Sequence, residues 1–426
     1  MKISWPLYPP RSKTEPANPA VTFSLGYPIL LHWLALSVAL VLLLISAIYH
    51  FVPLLVLAVF LLVLAAESWL WGWQSLREVS SQLTSNQSRA FPGETIDLSL
   101  AVTNRKWLPL PWAEIEAELP YKLVKGGVRP PSPYTKERLC WTTAISGRQQ
   151  VRWRHHLECQ ARGDYRLGPV RLRSGDIFGF FPREMIQPHY ASLLVYPKIV
   201  PVDKLNLPLQ ELAGDKSVPR NIYEDVSRTM GARDYRHDDP FKRIHWKASA
   251  HHHQLLVRQY ESTTSLSLLL ILDVGSFCLP EPDEETFELA VTTVASLVYA
   301  THQEKSAFGL TANSTPEIQI PLSSARNQLV LILESLARIQ PASRILFTDQ
   351  LRHQQASLPI GTTIVMVTRR LSSSVTGMAQ KLEHEGHSVM LISIGEPVPA
   401  PDLGGIPAIS ILSLGDLSRN YGEARA

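Results

Sequence analysis

The sequence predicts a membrane-anchored, multidomain chain. It reads as an N-terminal transmembrane helical hairpin, an all-β sandwich-like domain, and a C-terminal α/β domain with a Rossmann-type, mostly parallel sheet. Three observations predict this. Two apolar runs, the first without a charged residue, lie almost back to back at residues 29–49 and 51–73. Period-two alternation then governs the chain to about residue 199. Beyond residue 263, short apolar runs alternate with helical stripes. A chain of 426 residues is too long for one ordinary domain. Its charged share of 19% suits partial burial in lipid. The net charge of +3 gives no electrostatic footprint for nucleic acid.

The boundaries follow from those patterns. Residues 1–27 form an N-terminal segment, 28–73 two transmembrane helices, 85–202 the β domain, 203–262 a linker with a charged junction motif, and 263–426 the α/β domain. ILLHWLALSVALVLLLISAIY and FVPLLVLAVFLLVLAAESWLWGW each reach the length, roughly 20 residues, that a helix needs to cross a bilayer. Only His50 separates them, and Trp69, Trp71 and Trp73 cluster where the second run should leave the membrane. Lys2, Arg11 and Lys13 precede the first run, Arg77 follows the second, and the connection has no basic residue. Both termini and the soluble domains are therefore expected in the cytoplasm. The alternative topology makes the chain an extracytoplasmic cell-envelope structural protein. The cysteines Cys140, Cys159 and Cys278 are widely spaced and form neither a CxxC pair nor a disulfide framework.

TIDLSLAV and VRWRHHLEC alternate apolar and polar residues, as strands with one buried and one wet face do. Gly and Pro pairs punctuate them at 92–93, 126–127 and 168–169. His155 takes the inward parity and reads as a packed core histidine, whereas His156 points outward.

The junction motif is TMGARDYRHDDPFKRIHWKASA, Thr229–Ala250. Asp238-Asp239-Pro240 reads as a helix start, an acidic cap followed by Pro at the first turn. Phe241, Ile244 and Ala248 would then share one helical face. Four uses of the segment stay open. It can be a charge-paired fastener between domains, or a partner or anion surface. For either, the candidates are Arg233, Asp234, Tyr235, Arg236, Asp239, Arg243, His245, Trp246 and Lys247. It can be a metal site using His245, His251–His253 and the aspartates, although the usual ligand spacings are missing. It can be an acid–base centre, although no nucleophile motif lies nearby.

The α/β domain opens with SLSLLLILD, a continuous apolar run expected as a central parallel strand buried on both faces. Asp283–Glu304 reads as an acid-capped helix and SAFGLTAN as a strand. ARNQLVLILESLARI reads as a helix, TTIVMVTRR as a strand, SVTGMAQKLEHEG as a helix and HSVMLISIG as a strand. In such sheets ligands meet the carboxyl ends of the strands, which places Asp273 at the working edge.

Here the domain resembles a von Willebrand factor A fold, whose first strand often ends in Asp-x-Ser-x-Ser around a divalent cation. This chain has Asp273-Val274-Gly275-Ser276-Phe277, so the Asp matches and both serine positions do not. TTIVMVTRR ends in Thr368-Arg369-Arg370, where that fold often has another Asp. The expectation is a degenerate site at Asp273 and Ser276 with no tightly held metal and no cofactor.

RGDYRLGPVRLRSGDIFGFF, LLVYPKIVPV, GARDYRHDDPFKRIHWKASA and QLLVRQYE together resemble the domain-of-unknown-function-58 family of membrane-anchored bacterial proteins. His237-Asp238-Asp239 departs from the usual Gly-Asp there. The resemblance implies no enzyme activity. It implies company: a MoxR-type AAA+ ATPase and a transglutaminase-like membrane protein, besides the lipid bilayer and with no nucleic acid. The expected role is a non-catalytic adaptor or scaffold. The alternative is a divalent-metal-dependent binding or hydrolytic protein built on Asp273.

Overall fold

The computed structural model describes residues 21–23, 27–125, 136–200, 224–235, 244–252, 254–262, 267–278, 283–343, 346–355, 358–359, 361–397 and 405–416. The chain divides into two compact units, Met1–Tyr196 and Pro197–Ala426.

The first unit begins with a short strand, β1 (Val21–Phe23), and two helices, α1 (Tyr27–Tyr49) and α2 (Val52–Gln74). Residues 50 and 51 connect them, with His50 at φ +48° and Pro53 in the first turn of α2. The tight reversal packs α1 against α2, with Ala39 and Ala58 buried. Their remaining faces carry exposed Val, Leu, Ile and Phe side chains. Among the described residues one helix, α2, is long and apolar enough to cross a membrane, and the apolar stretch Leu36–Tyr49 of α1 is shorter.

The β-rich part follows directly. Its strands are β2 (Val79–Ser85), β3 (Arg89–Ala90), β4 (Thr95–Asn104) and β5 (Leu110–Pro120). After the short helix α3 (Tyr121–Lys125) come β6 (Lys136–Ile145), β7 (Gln150–Glu158) and β8 (Gly163–Leu167). The set closes with β9 (Val170–Ser174), β10 (Arg183–Gln187) and β11 (Ala191–Val195). They form sheets ordered β1-β10-β9-β5-β6, β2-β4-β7 and β3-β11-β8. Alternation decides which side is buried: Ile96, Leu98, Leu100 and Val102 of β4 share one core with Ile115, Ala117 and Leu119 of β5. β2, VSSQLTS, was invisible as a strand because a single Leu interrupts its polar run. It starts the domain at Val79 rather than residue 85. His155 is half-buried and His156 exposed, the latter pairing with Asp97 at 2.5 Å.

In the second unit, residues read as linker contain a two-stranded antiparallel ribbon, β12 (Glu224–Asp234) with β13 (Leu256–Ser262). Between them lies α4 (Trp246–His252). This corrects the expected helix through Ile244. That residue makes an antiparallel bridge to Val257 and is buried, and the His245 N–H donates to Leu256 O. A residue paired in a ribbon cannot also lie on a helical face, so the helix starts two residues later. The proposed cap at Asp238-Asp239-Pro240 lies outside the described residues.

The α/β sheet runs β14 (Ser267–Leu272), α5 (Glu284–Gln303), β15 (Ala307–Ala312), β16 (Ile318–Ser323), α6 (Gln328–Arg338) and α7 (Phe347–Gln355). It continues with β17 (Thr363–Thr368), α8 (Ser373–His384), β18 (Ser388–Ile394) and β19 (Ala408–Ile411). The spatial order is β16-β15-β14-β17-β18-β19. β14 pairs in parallel with both β15 and β17, as its uninterrupted apolar run requires. β16 is the antiparallel edge. Asp283 caps α5, accepting from the Thr286 N–H at 3.1 Å and the Thr286 hydroxyl at 2.7 Å.

Candidate functional site

The chain leaves β14 toward β15 on one side and later enters β17 on the other, so the order reverses around β14. The crevice at its carboxyl end is the topological switch point. Asp273 occupies it, its backbone N–H donating to Val367 O. The side chain is buried, and both its oxygens are engaged. Asn313 Nδ2 donates to Oδ1 at 3.1 Å, and the Thr368 hydroxyl lies 3.3 Å from Oδ2. Burial pushes the Asp273 carboxyl above the usual carboxylate range. The hydrogen bonds from Asn313, Ser276 and Thr368 oppose that shift without cancelling it.

A 3-10 turn at Val274–Phe277 curls the chain back over this carboxylate. It brings Ser276 to the site, although Ser276 is out of register with a spaced serine motif. Its hydroxyl donates to Asp273 O at 2.8 Å and accepts from the Arg369 N–H at 3.0 Å. Asn313 Oδ1 accepts from the Val274 N–H at 2.6 Å. A Cβ on Gly275 would stand 3.3 Å from Asn313 Nδ2 and 3.4 Å from Asp273 Oδ1. The Asn313 amide thus fills the space that a serine at 275 would need. Cys278 follows, its thiol pushed up by burial and lying 3.3 Å from Val274 O.

Outside this polar knot runs an ionic rim. The Arg369 guanidinium stands 3.3 Å from Asp283 Oδ2 and 3.7 Å from Glu396 Oε1. Arg370 Nε lies 3.1 Å from Glu396. Ser393 fastens the loop by donating to Arg369 O or Glu396 O, at 3.1 and 2.9 Å. Asp283 titrates below the usual range, chiefly because the Thr286 hydroxyl donates to it, with Arg369 adding to the effect. Among the described residues no three His, Cys, Asp or Glu side chains converge as a metal cluster.

The junction candidates separate into three groups. Arg233 and Asp234 end β12 and are exposed, and Tyr235 follows them, its N–H donating to Leu255 O. His245 caps α4: its Nδ1 accepts from the Ala248 N–H at 3.2 Å, and its carbonyl accepts from the Ser249 N–H at 2.9 Å. Trp246 is 66% exposed despite its size. Arg236, Asp239, Arg243 and the Lys247 side chain lie outside the described residues.

Sequence reasoning singled out Asp273 and missed its neighbours. Asn313 follows another strand, and only the β14–β15 register brings it to Asp273. Arg369 was read as a departure from an acidic position, not as the centre of the rim. A second built feature was quoted without its reason, the SGDIFGFF loop of the β-rich unit. Asp176 there is 1% exposed, and its carboxylate accepts from the Phe178 N–H at 3.1 Å and the Phe181 N–H at 2.7 Å. Trp112 Nε1 donates to its carbonyl at 2.8 Å.

These features define a class: a β-rich unit behind an apolar helix, and a mixed, mostly parallel α/β unit with an internally paired switch point. Residues 231–405 match the model of the family described as protein of unknown function DUF58. The uncharacterized protein YeaD of Bacillus subtilis strain 168 is 25% identical over 177 residues, which are 41% of this chain and 42% of that protein. The match thus spans less than half of the curated relative's length. Two solved structures superpose loosely. One is an aerotolerance-related membrane protein from Bacteroides fragilis, with 17% identity, 32% of this chain, 71% of that one and TM-score 0.24. The other is proximal thread matrix protein 1 from the mussel byssus, with 19% identity, 36% of this chain, 46% of that one and TM-score 0.29.

Proposed function

We propose that the chain is a non-catalytic, membrane-anchored adaptor with a von Willebrand A-like C-terminal domain. In this reading α1 and α2 both span the bilayer and the soluble units face the cytoplasm. There they receive a protein partner, a MoxR-type AAA+ ATPase, with a transglutaminase-like membrane protein as a second associate. Trp246 carries the reading. A large indole held two-thirds exposed on a fixed backbone, directly after buried Ile244 and the cap at His245, is the kind of anchor that dominates protein interfaces. It lies within the stretch that the family model matches.

The test is chemical crosslinking in native membranes, followed by purification of the full-length chain and mass spectrometry. The native chain should enrich the ATPase, and Trp246→Ala should lose it while keeping its unfolding midpoint. Failure to enrich a MoxR-type ATPase over the two helices alone would overturn the adaptor reading. Orientation has its own assay. A cysteine at exposed Gln87 should resist a membrane-impermeant maleimide in intact cells and react after lysis.

One observation favours a second reading. The buried Asp273 carboxylate and the Thr368 hydroxyl 3.3 Å from it place hard oxygen atoms, the donor type a divalent cation prefers, at the switch point. Calorimetry with magnesium, manganese and zinc, on the native chain and on Asp273→Ala, separates the two. Heat lost with the substitution favours cation binding, and absence of heat favours the adaptor.

A further inference from the structure

We propose that the β-rich unit does not merely follow the membrane helix but sits on the bilayer surface, through an apolar collar at the end of α2. The partner of this surface is the lipid interface itself. The inference rests on the reading of α2 as a membrane span, and its test is arranged so that the two can fail separately.

The helix sets the depth. Its 23 residues make a rod of about 34 Å, against a hydrocarbon thickness of about 30 Å. Its last turns therefore lie where lipid gives way to water. Trp69 and Trp73 are exposed there, as interfacial indoles are, and the Arg77 guanidinium sits 3.4 Å over the Trp73 ring. Gly72 is buried in the same turn. A Cβ on it would come within 2.5 Å of Phe181 Cβ and 3.1 Å of Phe181 O. The loop between β9 and β10 is thus pressed against the helix at the depth of the headgroups.

That loop projects apolar side chains. Ile177 is 57% and Phe178 54% exposed, and the Phe178 and Phe180 rings stack at 5.8 Å. This exposure is built in, because the buried Asp176 carboxylate holds the backbone on either side, at Phe178 and Phe181. A second loop reaches the same helix end. Lys106 Nζ donates to Ser75 O and to Arg77 O, the final carbonyls after α2, and Trp107 beside it is 79% exposed. Arg77, exposed Arg105 and Lys106 give the rim a positive balance against Glu78, suited to acidic headgroups. Exposed aromatics on two fixed loops, basic groups between them and an apolar helix in their midst have the chemistry of a membrane interface. A water-facing surface rarely carries it.

The test uses the full chain in nanodiscs of phosphatidylethanolamine and phosphatidylglycerol. The background substitutions are Cys140→Ser, Cys159→Ala and Cys278→Ala. Single cysteines are introduced at Phe178, Ile177, Phe60 and Gln87 and labelled with an environment-sensitive fluorophore. Quenchers sit at a shallow or a deep position on the lipid acyl chain. Phe60, exposed in mid-α2, reports the span, and Gln87, past the far end of β2, reports bulk water. The expected result is quenching at Phe178 and Ile177 by shallow more than deep quenchers, with Phe60 quenched by deep ones and Gln87 by neither. If Phe178 and Ile177 behave like Gln87 while Phe60 is quenched, the collar is wrong and the span stands. If Phe60 is not quenched either, both are overturned.

Discussion

Asp273 costs the fold stability in its ionised form, and that cost sets a testable sign. Its folded-state pKa is raised, so the folded state holds its proton more tightly than the unfolded chain does. The stability contributed by the proton is complete in acid and is lost as pH rises from the ordinary carboxylate value, about 3.9, through the folded one. Asp273→Asn keeps the bonding to Asn313 and Thr368 and removes the charge. It should raise the unfolding midpoint at pH 7 by about 2–6 °C, for about 1–2 kcal/mol, and flatten the acid-side pH dependence of that midpoint. Thermal scans across that range check both. A lower midpoint at neutral pH would mean that the carboxylate is held by favourable charge interactions. Asp176 is also buried, and its carboxylate accepts from the backbone N–H groups of Phe178 and Phe181 in its own loop. Asp176→Ala should cost about 3 kcal/mol and Asp176→Asn less, measured by denaturant unfolding. Both aspartates stood in plain view in the sequence. Their difference did not, because Asn313 lies 40 residues from Asp273, whereas Phe181 lies only five from Asp176.

Elements were legible where one physical cause dominated. The apolar run before Asp273 allows only a strand covered on both faces, and β14 is paired on both sides by parallel neighbours. The strands ending at Ala312, Thr368 and Ile394 follow from the same pattern, as does the acid-capped helix α5. β12 was not legible, since EDVSRTMGARD has no alternation and is held by its partner β13 through an irregular register. The helix expected through Ile244 failed for the related reason that a tertiary bridge outweighs local spacing. Two helical glycines now give opposite predictions. Gly377, exposed in α8, has nothing within 4 Å of an added Cβ, so Gly377→Ala should stabilise by about 0.5–1 kcal/mol through helix propensity alone. Gly72 meets Phe181, so Gly72→Ala should lower the stability of the β-rich unit by about 1–3 kcal/mol as the loop is pushed off. Denaturant midpoints of both variants decide the pair, and equal signs would contradict the packing described.

At the scale of the whole molecule, the two units carry separate cores, and each would answer a different part of the proposed role. The unit from Met1 to Tyr196 holds the apolar helix, and the unit from Pro197 to Ala426 holds Trp246 and the switch point. If the second unit binds the ATPase and the first binds lipid, their covalent linkage is the function. Recruitment then needs the full chain, whereas recognition needs only the second unit. A flotation experiment separates these. Purified ATPase mixed with vesicles carrying the full chain should rise with them through a density gradient. It should stay at the bottom with empty vesicles, or when the soluble fragment 197–426 is supplied in place of the full chain. Crosslinking in the fragment sample should still join the ATPase to it, and Trp246→Ala in the full chain should abolish flotation without changing reconstitution. Flotation that persists with Trp246→Ala would move recognition away from the indole. ATPase that never rises with the full chain would mean that the linkage of the two units serves something other than recruitment, and the buried carboxylate at Asp273 would become the first place to look.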